Sequence, residues 1–155
     1  MALPNILISD NYSKKGFTLL EILVVFGILM ILTSFGLFLS MDFFRGYTFN
    51  YEKNILIGVL QKARSESMAN INQAPHGFYW DGDNYIIFQG EDYSTRDASF
   101  DEVFPASKNI SISGVPSAGV VFEQLSGDSS PFDIIISDNI KSATISINKE
   151  GRINW

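Results

Sequence analysis

The 155-residue chain has no cysteine, a single histidine (His76) and five prolines, none of them between Phe17 and Ala74. Without cysteine there is no disulfide framework and no thiolate nucleophile, so the apolar core alone must hold the folded part. One histidine, between Pro75 and Gly77, cannot supply the clustered imidazoles of a zinc centre or the base of a nucleophilic triad. Its expected place is the surface, at the start of a strand. These shortages argue against an enzyme, and no cofactor is expected. Asp81, Asp83 and Asn84 offer oxygen ligands for calcium, but they lack the length and terminal glutamate of an EF-hand loop, and turn formation accounts for them. Positive charge is scarce: 11 Lys and Arg stand against 17 Asp and Glu, a formal net charge of −6. That balance repels polyanions at long range. No internal repeat or low-complexity segment is present.

Charge of either sign is missing from Ile22 to Met41. A helix of about 20 residues is about 30 Å long, the thickness of a bilayer's hydrocarbon core. A buried helix of a soluble domain usually carries a polar stripe, and Thr33, Ser34 and Ser40 do not form one. Lys14 and Lys15 precede the run, while Asp42 and Arg45 behind it cancel. The positive-inside rule therefore puts the N-terminus in the cytoplasm and the bulk of the chain outside. A secretory signal peptide would have a shorter apolar centre and a small-residue cleavage site behind it. Here the run passes Ser40-Met41-Asp42 without one. Glu21 is the anomaly. It stands at the entrance of the run, where a charge costs less than the roughly 2.5–3.5 kcal/mol of a central position but is still unfavourable.

Lys14-Lys15-Gly16-Phe17-Thr18-Leu19-Leu20-Glu21, followed at once by the apolar run, resembles the signature of type IV prepilins and type II secretion pseudopilins. The resemblance implies that a prepilin peptidase cuts after Gly16 and that Phe17 becomes the N-methylated N-terminus. It also implies that Glu21 pairs with the N-terminal amine of a neighbouring subunit. Each charge is costly alone in lipid and is compensated only when subunits align, so such a pair selects register more than it adds stability. Glycine suits a cleavage site because a protease must approach the backbone closely there. Loss of Met1–Gly16, with Lys14 and Lys15 against Asp10, leaves a net charge of about −7. The leader is longer than many in the family. Phe38 stands where many major pilins carry a proline, which favours a minor or secretion-type subunit, with Gly36 as a substitute weak point.

Past the apolar run, Phe44, Tyr47, Tyr51, Ile55, Val59 and Ala63 recur at helical spacing, with Glu52, Lys53, Lys62, Arg64 and Glu66 off the stripe. One continuous helix is expected through both regions. Its weak points are Gly27, Gly36, Gly46 and Gly58, at about 1 kcal/mol each relative to alanine, and Asn70, Asn72 and Pro75 end it. Short apolar runs follow: Gly77–Trp80 and Tyr85–Gln89 around an Asp81–Asn84 turn, a weak strand near Phe100–Phe104, then Ile110–Ser113, Val120–Leu125, Phe132–Ser137, Ala143–Asn148 and Arg152–Trp155. The fold class is α+β. The expected divisions are a cleaved leader (1–16), an apolar transmembrane half-helix (17–44), an amphipathic half-helix (45–72) and a β-rich domain (76–155). The resemblance implies a pilin-like lollipop, its long N-terminal helix packed on an antiparallel sheet or sandwich.

Ala63-Arg64-Ser65-Glu66-Ser67-Met68-Ala69 and Gly151-Arg152-Ile153 are similar to the GspH/FimT branch of minor subunits. The implied function is a minor pilin or pseudopilin of type II secretion or type IV pilus biogenesis. It would sit singly spanning the bacterial inner membrane before entering a filament. Its implied partners are the prepilin peptidase, other pilin or pseudopilin subunits, the inner-membrane assembly platform, membrane lipid and a secretion substrate. The alternative is a DNA-binding minor pilin of an uptake pilus. Lys141, Lys149 and Arg152 are too dispersed, and too close to Asp138 and Glu150, to favour DNA.

Overall fold

The computed structural model describes residues 16–138 and 140–155, with side chains throughout except at residues 37–46. Met1–Lys15, including the Lys14–Lys15 pair, lie outside the described residues, and so do the side chains of Phe44, Asp42 and Arg45. The chain divides into two compact units, Met1–Asp42 and Phe43–Trp155. Helix α1 (Leu19–Met68) enters both, unbroken at any of its glycines.

In the first unit α1 is apolar on every side. Leu19–Gly36 is long and apolar enough to cross a membrane, and none of it is buried. Its two described hydroxyl residues turn inward on the helix itself. Thr33 Oγ1 donates to the Leu29 and Met30 carbonyls at 2.8 and 3.0 Å, and Ser34 Oγ to Met30 at 2.8 Å. A helix that satisfies its polar groups within the segment is what a lipid interior requires.

The second unit is an α+β fold, with the remainder of α1 followed by two four-stranded antiparallel sheets. The first sheet holds β1 (His76–Trp80), β2 (Asn84–Gln89), β3 (Glu102–Pro105) and β5 (Val120–Phe122), in the order β3-β2-β1-β5. The second holds β4 (Ser111–Ser113), β6 (Phe132–Ser137), β7 (Ser142–Ile147) and β8 (Ile153–Asn154), in the order β4-β6-β7-β8. Every strand expected from the sequence is present. In β6 the register follows from alternation, Ile134 and Ile136 facing the core while Asp133 and Ile135 face out. One core joins the helix to both sheets: Leu56, Leu60 and Ala63 from α1, Phe78, Tyr85 and Phe122 from the first sheet, Ile134, Ile145 and Ile147 from the second.

The buried face of α1 is rotated from the expected stripe. Phe49, Glu52, Leu56, Val59, Leu60, Ala63 and Ser67 are buried, whereas Tyr47 and Tyr51 are 71% and 57% exposed. Phe49, Leu56 and Leu60, absent from the expected stripe, bring this face inward, and Glu52 is carried in with them. There Tyr85 Oη, on β2, donates to its Oε2 at 3.0 Å, which no reading of the helix by itself would reveal.

A loop after β2 covers the far face of the first sheet, where Ile86 and Phe88 point. Tyr93 stacks on Tyr79 with ring centroids 3.6 Å apart, and the Arg96 guanidinium lies over Tyr93 at 3.5 Å. Asp101 fixes that guanidinium through its Nε, accepting at 2.9 Å on each carboxylate oxygen. At the other end of the strand pair, the Asp81 carboxylate accepts from the Asp83 and Asn84 N–H groups at 2.9 and 2.6 Å, so the expected turn is built by its own side chain. Partial burial opposes ionisation there, but these N–H groups and the Asn84 amide together hold the Asp81 carboxyl below its usual range.

α1 ends where Asn70 turns left-handed at φ +56°, a conformation asparagine tolerates. Ser67, fully buried on its last turn, accepts the His76 N–H at 2.8 Å and so ties the helix end to β1. His76 opens β1 as expected, but it is not a surface residue: it is only 5% exposed, and its Nδ1 has no hydrogen-bond partner. Burial pushes its pKa down, against weaker opposing pulls from the Ala74 backbone and the Glu102 carboxylate.

Candidate functional site

The residues singled out for processing and assembly lie at the start of α1. Gly16, Phe17 and Thr18 precede the helix, so the Gly16–Phe17 bond is in non-helical backbone. Both residues are exposed, Phe17 at 80%, and a methyl group at Gly16 would meet nothing within 4 Å. This chain's own packing therefore does not demand glycine there. Any demand comes from whatever approaches the bond.

Thr18 has a role beyond its place in the sequence signature: it caps α1. Its Oγ1 accepts the Glu21 N–H at 3.3 Å, and its carbonyl accepts the N–H groups of Glu21 and Ile22 at 3.1 and 3.3 Å. Thr18 and Glu21 thus have the spacing of a capping box. Glu21 lies in the first helical turn, exposed, where the helix dipole favours a negative charge. Gly16, Phe17 and Glu21 share one short stretch in which the bond is accessible and the carboxylate is presented outward.

A second constellation was not anticipated from the sequence as a unit. Arg64, on α1, donates through Nε to the Gly127 carbonyl at 3.3 Å and through Nη2 to the Glu150 carbonyl at 3.0 Å. Together with Gln61, Arg152, Ile153 and Trp155 it lines a groove of about 320 Å³ between α1 and β8. The two segments of the GspH/FimT likeness, around Arg64 and around Gly151-Arg152, therefore meet in space. Of the aromatic residues that could stack on a base, Tyr85 is fully buried, Tyr79 and Trp80 are half-buried, and Trp155 is 63% exposed. Among the described residues no three His, Asp or Glu side chains converge to hold a metal ion.

The family described as the prokaryotic N-terminal methylation motif matches this chain over residues 11–37, which takes in the Gly16–Phe17 bond, the Thr18 cap, Glu21 and the apolar helix. That match supports the type IV pilin and pseudopilin superfamily and a membrane-anchored, structural subunit. No curated protein and no solved structure gives a match.

Proposed function

We propose that this chain is a minor pilin or pseudopilin subunit, cleaved after Gly16, N-methylated at Phe17 and assembled into a filament serving type II secretion or type IV pilus biogenesis. The observation that carries the reading is the matched motif over residues 11–37, within which Leu19–Gly36 is an apolar helical segment with none of its residues buried. Lipid covers them before assembly, and neighbouring helices cover them afterwards. The N-terminus lies on the cytoplasmic side of the inner membrane and the β-rich domain outside. The prepilin peptidase, the assembly platform and other subunits are the partners. The meeting of Arg64 with Gly151-Arg152 supports the GspH/FimT assignment within this class.

In this account the Glu21 carboxylate meets the new Phe17 amine of an adjacent copy or relative, each charge compensating the other in lipid. Glu21→Ala and Glu21→Gln should leave cleavage intact and lower incorporation into filaments at least tenfold, read by immunoblot of sheared filaments against membranes. Wild-type incorporation of both variants would sink the pairing.

A further inference from the structure

Strand β8 is the last strand of its sheet and is paired on one side only, with β7. Its register shows which backbone groups that pairing uses. The Asn148 N–H donates to the Arg152 carbonyl at 3.1 Å, so the bonded positions fall at Arg152 and Asn154, with Ile153 between them. The Ile153 N–H and carbonyl therefore point away from β7, and neither meets another partner among the described residues. Yet Ile153 is only 8% exposed. Unpaired backbone groups at so sheltered a residue are costly, and an open sheet edge is a template for an added strand.

The side chains around that edge select what it takes. β8 forms one wall of the groove lined by Gln61, Arg64, Arg152, Ile153 and Trp155, so two guanidiniums and no carboxylate side chain line it, in a chain of net charge −6. Arg64 is held by the Gly127 and Glu150 carbonyls. The exposed Arg152 guanidinium has no ion-pair or hydrogen-bond partner among the described residues. Such a lining disfavours a basic segment and favours an acidic one. Ile153 and the exposed Trp155 add an apolar wall for the residues between the charges.

We propose that β8 and the Arg64–Arg152 groove take up an extended, acidic segment of a different subunit of the same filament, which adds as a strand beside Ile153 and sets a carboxylate against Arg152. The proposal rests on the minor-subunit reading above, under which this chain stands among subunits unlike itself, and it needs one partner per copy. A two-residue edge supplies few backbone bonds, so the guanidiniums and Trp155 carry the selection. A nucleic acid is the poorer occupant. Two guanidiniums in an acidic domain are a small phosphate footprint, and the open carbonyl of a strand edge repels phosphate.

The photocross-linker p-benzoylphenylalanine, placed at Trp155 of the full chain and irradiated in cells that hold the peptidase and assembly machinery, should give one adduct. Peptide mapping of that adduct should return a segment of another protein with the N-terminal methylation motif, carrying at least two carboxylates. Arg152→Glu should lower its yield at least tenfold, and exchanging the mapped carboxylate for arginine should restore it. The same probe at Leu23, on the exposed apolar helix, reports assembly independently of the groove. Adducts from Leu23 with none from Trp155 would overturn the contact and leave the filament reading standing. So would a Trp155 adduct that is indifferent to Arg152→Glu, or that maps to this chain itself, to a protein without the motif or to DNA. No adduct at either position would overturn both.

Discussion

Gly151→Ala is expected to destabilise the globular unit by about 3–4 kcal/mol, a large share of the roughly 5–15 kcal/mol that holds a small domain together. Two costs add. Gly151 sits at φ +65°, where a Cβ is strained by about 1–2 kcal/mol. A methyl group there would also overlap the Gly127 carbonyl and approach Arg64 Nε at 2.9 Å. The obstruction on one side is backbone, which cannot swing away as a side chain would. The strain falls where Gly127, Glu150 and Arg64 assemble the groove, so Arg152 should lose its setting as well. Gly58→Ala is the control: on α1 the added methyl meets nothing within 4 Å. It should be neutral or stabilising by up to about 1 kcal/mol. Thermal unfolding of the full chain in detergent, followed by near-UV circular dichroism, compares the two. Equal midpoints would mean that the turn before β8 is not built as described.

Tyr85→Phe should cost about 3 kcal/mol near neutral pH. The substitution removes one oxygen and leaves the ring, so packing changes little. What is lost is the donor to a carboxylate buried at 5% exposure, and an uncompensated buried charge is the expensive case. Pairing Tyr85→Phe with Glu52→Leu should recover most of the loss, because both polar partners then leave together. The pair also sets an alkaline limit. Burial first, and then the Glu52 charge and its hydrogen bond, raise the Tyr85 pKa well above its ordinary value. A raised folded-state pKa gives stability that is whole below about pH 10, the unfolded value, and is lost as pH climbs toward the folded one. Denaturant titrations between pH 7 and 11 should show that loss in the wild type and less of it in Tyr85→Phe, where Tyr93, its pKa also raised by burial, still contributes. A Tyr85→Phe cost under about 0.5 kcal/mol would remove Glu52 from the account of the core.

The sequence carried the helix and the strands well, for reasons visible in particular residues. Phe132–Ser137 was legible to its ends because one face is buried and alternation marks it. The long helix was legible because no proline interrupts it, and its end because asparagines follow. Polar groups whose partners lie far along the chain were not legible. Glu52 reads as a solvent residue until Tyr85, 33 positions away, supplies a donor. His76 reads as a surface residue until Ser67 ties its backbone under the helix end. Arg64 and Arg152 lie 88 positions apart in sequence, and only the fold, which sets β8 beside α1, makes them one groove. The stretch around Gly16, Phe17 and Glu21 lies within one matched motif, over residues 11–37. Its residues are contiguous in sequence, and the structure adds the Thr18 cap and the exposed Gly16–Phe17 bond.

The central claim is that this chain is cut between Gly16 and Phe17 to become a filament subunit. Mass spectrometry of the N-terminus after co-expression with a prepilin peptidase, beside a Gly16→Ala control, tests it most directly. The account predicts a chain that begins at Phe17, methylated when the peptidase also methylates, and an uncut chain in the control. An intact leader in the presence of an active peptidase would contradict it and leave a membrane-anchored β-domain whose work lies elsewhere.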